Sequence, residues 1–305
     1  MICASSPLLA GYCPPAGHPE HPHRIRDVQE YLERRFGEGV VTAIDRRASF
    51  EELCAVHDPA YIRYLYSVEA ETYLDCETVL SGRGVDGVLR AAGICLDVME
   101  HILDGKDAKG FALIRPPGHH AGYHRAMGYC IINNMAVAAR KALQRLRRIA
   151  VVDWDAHHGN GTQELFAGTD AVLFVDIHQD NLFPPHSGGV CETGSGFTVN
   201  IPLSPGSGGE RYLDVMDTAV YSALAAYKPE LICVSAGFDA ASGDLEANME
   251  LSPRDFGAMT ERICAWADAF CGGRVFMTLE GGYRIESLSE AVGECVEVLR
   301  SWKQR

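Results

Sequence analysis

The sequence predicts an α/β protein built on a parallel sheet. Two observations predict it. From residue 85 onward, apolar strand-like runs alternate with stretches of helical periodicity. Several of those runs end in carboxylate, imidazole or phenol side chains, often beside glycine, as happens outside the carboxyl edge of an open parallel sheet.

In chain order, helical periodicity covers 24–36 and 85–104, and the apolar run Phe111–Ile114 marks a strand over 110–114. A helix over 133–147 then leads to a strand over 149–154, and a second strand follows over 171–177. A strand over 197–201 precedes a helical stretch over 210–227, and a strand over 230–236 precedes a helix over 254–271. The last pair is a strand over 274–279 and a helix over 286–302. In the N-terminal part, Glu51-Glu52 and Asp58-Pro59 flank a short helix. Pro205-Gly206-Ser207-Gly208-Gly209 reads as a turn before a helix, since no Lys follows to complete a phosphate loop. No repeat, low-complexity tract or linker interrupts the chain, so residues 1–305 read as a single domain.

Four strand exits carry the chemistry. The run Val151-Val152-Asp153-Trp154-Asp155-Ala156-His157-His158 places two carboxylates and two imidazoles in six residues. Asp155 and His157, two apart at a strand mouth, point the same way if the chain stays extended. The other exits deliver Asp239, the tandem pair His119-His120, and Tyr283 behind Gly281-Gly282. Asp155, His157 and Asp239 make a three-ligand set that leaves a coordination position open, which suits Zn²⁺ and also tolerates Fe²⁺. A nearby His can move a proton and a phenol can donate to a forming oxyanion, so the parts describe amide hydrolysis. G-x-S-x-G and H-E-x-x-H are both absent, which removes serine-hydrolase and zincin readings.

The same residues carry a family resemblance. R-P-P-G-H-H-A (115–121), G-Y-C-I-I-N-N (128–134), V-D-W-D-A-H-H-G-N-G-T-Q (152–163), A-G-F-D-A (236–240) and L-E-G-G-Y (279–283) resemble the histone deacetylase family, which includes acetylpolyamine amidohydrolases. H-P-E-H-P-H-R (18–24) resembles its N-terminal motif, so the likeness runs from about His18 to Tyr283. The resemblance implies an arginase–deacetylase fold with a central, mostly parallel sheet of about eight strands flanked by helices. It implies Zn²⁺ on Asp155, His157 and Asp239, His120 as main general base and acid, and His119 as its electrostatic partner. Asp153 would orient His119, and Tyr283 would stabilise the tetrahedral intermediate. Gly128, Tyr129, Phe183, Gly281 and Gly282 would contact the substrate, Tyr129 and Phe183 as walls of a narrow tunnel. A structural K⁺ is implied near Asp153, Asp155, His157, Asp176 and Ile177. Asn160 stands where class I members carry a second relay Asp. It can hold the tautomer of His120 without adding charge, and places the chain with the class II branch.

Substrate choice turns on residue 246. Seven positions after Asp239, class II lysine deacetylases typically carry Leu and polyamine-specific relatives a Glu; here it is Glu246. A carboxylate there attracts a distal ammonium and slightly favours an acetylated polyamine over acetyl-lysine in protein. Glu77 and Thr78 fall near the loop where the family places an acceptor for the substrate amide. An arginase-like ureohydrolase would need further Asp ligands where this chain has Asp239-Ala240, and a non-catalytic acyl-lysine reader would be favoured by a lost motif residue.

Composition sets the outer bounds. A net charge of −14 argues against direct nucleic-acid binding and is compatible with a cationic substrate. Eleven cysteines without a C-x-x-C fit a reduced cytoplasm. Leu8-Leu9-Ala10-Gly11-Tyr12-Cys13 lacks the basic and apolar regions of a lipoprotein signal, and no stretch is long enough to span a membrane. A homo-oligomer is left open.

Overall fold

The structure, a computed structural model, describes residues 1–80, 82 and 84–303. Strand β1 (Ile2–Ser5) is followed by a 3₁₀ turn at Pro7–Gly11, α1 (His23–Phe36) and β2 (Thr42–Ala43). Next come α2 (Phe50–Cys54), α3 (Pro59–Tyr66), the small hairpin β3 (Thr72–Tyr73) and β4 (Val79–Leu80), and α4 (Gly84–Leu103). The alternating part contains β5 (Lys109–Ala112), α5 (Asn134–Ala142), β6 (Ile149–Asp153), α6 (Asn160–Phe166), β7 (Val172–Gln179) and β8 (Thr198–Leu203). It continues with α7 (Gly209–Val215), a π turn at Met216–Val220, α8 (Tyr221–Tyr227), β9 (Ile232–Ala236), α9 (Pro253–Cys271), β10 (Val275–Leu279) and α10 (Ile285–Ser301).

Eight strands form one sheet in the order β2-β1-β5-β10-β9-β6-β7-β8, with every pair parallel. All residues of β5, β6, β7, β9 and β10 are buried, so both faces of the central sheet are covered. The covering helices are amphipathic: α10 buries Leu288, Ala291, Val292, Cys295, Val296 and Leu299, one face at helical spacing. α9 begins at a Ser252/Asp255 capping box with Pro253 in its first turn and ends at Gly272 in the left-handed region.

The chain order places the chemistry. After β5 the chain skips two positions to β6, then fills the gap last, with β9 and β10. The four adjacent central strands β5, β10, β9 and β6 therefore send their following loops to one edge. Those loops are the ones that carry His119-His120, Tyr283, Asp239, and Asp155 with His157.

Several elements depart from the sequence reading. Glu51 and Glu52 lie inside the first turn of α2, and Asp58 caps a separate helix, α3, so the N-terminal region holds two short helices where one was expected. β1 and β2 went unpredicted because Ile2-Cys3-Ala4-Ser5 and Thr42-Ala43 are too short to show a pattern. The 210–227 stretch divides around the π turn, and the helix expected over 133–147 stops at Ala142.

Beneath the site a buried ion triad ties two distant motifs together. Arg24 on α1 donates to Glu20 Oε1 at 3.1 Å, and Arg115 after β5 donates to both oxygens of Glu20, at 3.0 Å for Oε1; all three side chains are fully buried. Burial alone would raise the Glu20 carboxyl, but Arg115 and Arg24 override it and hold it below the usual carboxylate range. A depressed carboxyl contributes stability above its unfolded value and loses it as pH falls. We expect Glu20→Ala to cost about 3–5 kcal/mol by leaving two buried guanidiniums unpaired. We also expect Glu20→Gln to flatten the loss of stability below about pH 4. Urea midpoints across pH measure both; an unchanged midpoint at pH 7 in Glu20→Ala would refute the account.

Candidate active site

The three expected ligand residues converge just past β6 and β9. One donor atom from each of Asp155, His157 and Asp239 lies within 4.8 Å of the others. The His157 imidazole approaches both carboxylates with the same nitrogen, Nδ1, at 2.8 Å from Asp239 Oδ2 and 3.1 Å from Asp155 Oδ1. The remaining carboxylate oxygens are held by backbone: Gly281 N–H donates to Asp155 Oδ2 and Ala156 N–H to Asp239 Oδ1, both at 2.8 Å. Burial works against a charge on His157, yet Asp239 and Asp155 push its pKa up to about 10. The cluster thus draws in positive charge, and a mixed imidazole–carboxylate set of this size fits a divalent cation with an open position. Asp155 and His157 lie beyond the end of β6 in irregular chain, so bends and Asp side-chain hydrogen bonds bring them together rather than strand alternation.

The paired histidines stand beside this cluster with different supports. His119 Nδ1 lies 3.1 Å from Asp153 Oδ2, and His120 Nδ1 lies 2.8 Å from Asn160 Oδ1. An amide oxygen can only accept, so His120 Nδ1 carries the proton and Nε2 is left with its lone pair. Burial, His119 and His157 together keep the His120 imidazole well below its usual range, which leaves it neutral. For His119, burial is overridden by Asp155 and Asp153, which hold it well above that range. Two adjacent imidazoles are thereby driven apart.

Tyr283 packs edge-on to Tyr129, 5.6 Å between centroids, with the Arg24 guanidinium 4.7 Å from its own ring centre. Burial keeps its phenol protonated, and Asp155 and Asp239 add to the effect against an opposing pull from Arg24. Asp155, His157, His119, His120 and Tyr283 line a cavity of about 280 Å³ together with Glu77, Gly128, Tyr129, Phe183 and Glu246, while Asp239 lies outside its lining. Phe183 meets His120 edge-to-face at 5.2 Å. Gly128 has φ +53, and a Cβ there would lie 2.5 Å from His120 and 2.8 Å from Phe183, so only glycine fits at this wall. Asn181, Leu182 and Phe183, in the loop after β7, form one side of the cavity.

Other expected residues lie behind the cavity. Gly281 and Gly282, read as substrate contacts, are absent from its lining: Gly281 serves Asp155, and the Gly282 carbonyl accepts from Arg24 Nε at 2.7 Å. Asp176 is fully buried, accepting from Gly159 N–H at 2.8 Å and facing His178 Nδ1 at 2.6 Å, and Ile177 follows it in β7. Thr78 is buried and accepts from Tyr129 N–H at 2.9 Å, which leaves Glu77 as the cavity-lining member of that pair.

Three residues that support the site had no role assigned from the sequence. His18 packs behind two lining residues, with Nε2 2.9 Å from the Glu77 carbonyl and its ring 4.6 Å from Tyr129. Glu280 accepts the N–H of Gly118 at 2.6 Å and of His119 at 3.2 Å. Asp244 holds the Tyr283 backbone. His18 and Glu280 sit inside recognised motifs, so position alone could have marked them; Asp244 offered no such signal.

The family model for the histone deacetylase domain matches residues 18–299. The chain belongs to the histone deacetylase family. Among relatives, it is 38% identical over 279 residues to a probable deacetylase of Archaeoglobus fulgidus, covering 88% of this chain and 77% of the relative. It is 37% identical over 280 residues to a histone deacetylase-like amidohydrolase of Pseudomonas aeruginosa, covering 88% and 73%. Similarity to histone deacetylase 15 of Arabidopsis thaliana is 35% over 299 residues, 92% of this chain but only 52% of the plant protein. The crystal structure of the HDA15 HD domain superposes with a TM-score of 0.93 at 32% identity, covering 99% of this chain and 91% of that one. The fold is therefore the arginase–deacetylase fold, and this family member is an enzyme of the deacetylase and amidohydrolase kind.

A Cβ at Gly281 would collide with Asp239 Oδ2 and lie 2.6 Å from Asp155 Oδ2. Gly281→Ala should therefore lower affinity for a divalent metal, assayed with Zn²⁺, about tenfold to a hundredfold, as disturbing the outer support of metal-binding carboxylates does. Metal retained at buffered free Zn²⁺ measures this; full retention would show that the donor set does not depend on the Gly281 contact.

Proposed function

We propose that this enzyme hydrolyses the amide of an N-acetylated amine, with Zn²⁺ held by Asp155, His157 and Asp239. The observation that carries the reading is a single cavity lined by Asp155, His157, a neutral His120 and a protonated Tyr283, with the fully buried Asp239 completing the donor cluster behind its wall. When bound, the metal would polarise the acyl carbonyl and acidify a water; Fe²⁺ could serve on the same donors.

The chain's own groups do the rest. His120 Nε2 takes a proton from the attacking water as its oxygen bonds to the acyl carbon. The Tyr283 phenol donates to the carbonyl oxygen as negative charge develops there. His120 then gives the proton to the amine nitrogen as the C–N bond breaks, releasing acetate and the free amine. Asn160 keeps the lone pair on the right nitrogen, and the Asp153–His119 pair supplies a neighbouring charge. Tyr129 and Phe183 flank the apolar stem of the substrate across Gly128, and Gly281 and Gly282 hold the loop that presents Tyr283. A structural K⁺ near Asp153, Asp155, His157, Asp176 and Ile177 would offset the carboxylates buried there.

For the substrate we favour an acetylated polyamine over acetyl-lysine in protein. Glu246 and Glu77 both line the cavity, and among the described residues no Lys or Arg joins them there. A distal ammonium finds a partner at this wall, whereas a neutral peptide leaves a carboxylate uncompensated. The arginase-like reading loses support because the cluster contains no further Asp ligand among the described residues. The reader alternative loses support because every motif residue stands in place. The site also fits a single domain over 1–305. A cytoplasmic setting fits eleven cysteines that are all free, and no helix among the described residues is long and apolar enough to cross a membrane.

The test is kcat/KM of the Zn-loaded enzyme on N8-acetylspermidine, acetylputrescine and an acetyl-lysine peptide. Polyamine preference is expected, and it should collapse in Glu246→Leu; equal losses on peptide and polyamine would sink the selector role. Tyr283→Phe should lower kcat about a hundredfold to a thousandfold with metal still bound, as removal of one oxyanion donor does. Unchanged turnover would remove the mechanism. His120→Ala should abolish hydrolysis without lowering the melting temperature.

A further inference from the structure

The loop after β9 runs from Asp239 to Glu246 and carries one half-buried carboxylate that the mechanism does not use, Asp244. Two segments share it. Oδ1 accepts the N–H of Leu245 at 2.7 Å and of Glu246 at 3.2 Å. Oδ2 accepts the N–H of Tyr283 at 2.8 Å and of Arg284 at 3.0 Å. Four donors occupy its acceptor sites, and bonds to an ionised acceptor are roughly twice as strong as neutral ones. Tyr283 and Arg284 immediately precede α10, where a negative charge also gains from the helix dipole.

The placement of Tyr283 needs such an anchor. Gly281 and Gly282 precede it, and Gly282 lies at φ +118, so the local chain supplies little stiffness of its own. Arg24 grips the ring face and the Gly282 carbonyl from one side, and Asp244 grips the Tyr283 N–H from the other. A shift of the backbone at residue 283 swings the phenol out of line with the cavity floor.

We propose that Asp244 is a positioning residue that sets the Tyr283 phenol where the reacting carbonyl develops charge. The inference rests on the reading of Tyr283 as the oxyanion donor. Asp244 touches no reacting atom in this account: its Oδ2 acts on turnover through Tyr283, and its Oδ1 holds the backbone of Leu245 and Glu246.

Asp244→Asn preserves volume but leaves one oxygen for four donors and turns an NH₂ toward one of the two N–H pairs. In the Zn-loaded full chain it should lower kcat on the acetyl-lysine peptide about tenfold to a hundredfold, the size of effect a misplacement near 1 Å produces. KM, bound Zn²⁺ and melting temperature should hold. The deciding measurement is a double-mutant cycle with Tyr283→Phe. With the phenol gone, Asp244→Asn should cost less than twofold further. The same loss in both backgrounds would overturn the proposal, because Asp244 would then act independently of Tyr283. Loss of metal or a lowered melting temperature in Asp244→Asn would overturn it as well. If Tyr283→Phe alone leaves turnover intact, the oxyanion reading itself fails and takes this inference with it, and that single variant tells the two failures apart.

Discussion

Buried negative charge at the carboxyl edge of the sheet is the constraint on which the rest of the structure depends. Asp153, Asp155, Asp176, Asp239 and Glu280 are all at most 1% exposed. The side chains that face the four aspartates are imidazoles, His119, His157 and His178, while Glu280 takes backbone donors. Isolated carboxylates cannot be buried at this density without protons or cations, because each loses its hydration. The fold answers with backbone donors, from Ala156, Gly159, Gly118, His119 and Gly281, and leaves a demand for positive charge at the centre. In the proposed enzyme that demand is what a divalent ion meets, so stability and catalysis would share one electrostatic source.

Around this centre the supporting charges are arranged as closed pairs rather than left to water. The Glu20–Arg24–Arg115 triad lies fully buried, and its spare donors reach the carbonyls of Leu9, Tyr12, Glu280 and Gly282. Nearly every polar atom in the triad is spoken for, which is the condition under which a buried ion group is tolerated. The consequence reaches the site, since two of those carbonyls belong to the loop that ends in Tyr283. The N-terminal motif therefore shapes the cavity without lining it.

The cavity walls follow a different logic, one of close approach. Gly128 lets the chain pass against His120 and Phe183, and Thr78 and Asp75 hold the backbone at Tyr129 and Gly128 from beneath. The rim is acidic at Glu77 and Glu246, in keeping with the negative charge of the whole chain. The carboxylates of Glu77 and Glu246 and the rings of Tyr129 and Phe183 share the wall, so the cavity offers both charged and apolar surface.

The sequence by itself determined the alternation of strands and helices, since periodicity and long apolar runs are local properties. It also placed a candidate side chain at each strand exit, because Asp155, His157, Asp239, His120 and Tyr283 are legible from residue type and motif. Only the tertiary structure decided that these exits meet. The strand order places β10 and β9 between β5 and β6, so residues more than a hundred positions apart become neighbours. It also decided the parts made of backbone contacts. Gly281 supports Asp155 instead of lining the cavity, Thr78 turns inward while Glu77 faces the cavity, and Asp244 clasps the chain at Tyr283. A backbone N–H is the same at every non-proline residue, so no sequence pattern could reveal which carboxylate it would meet.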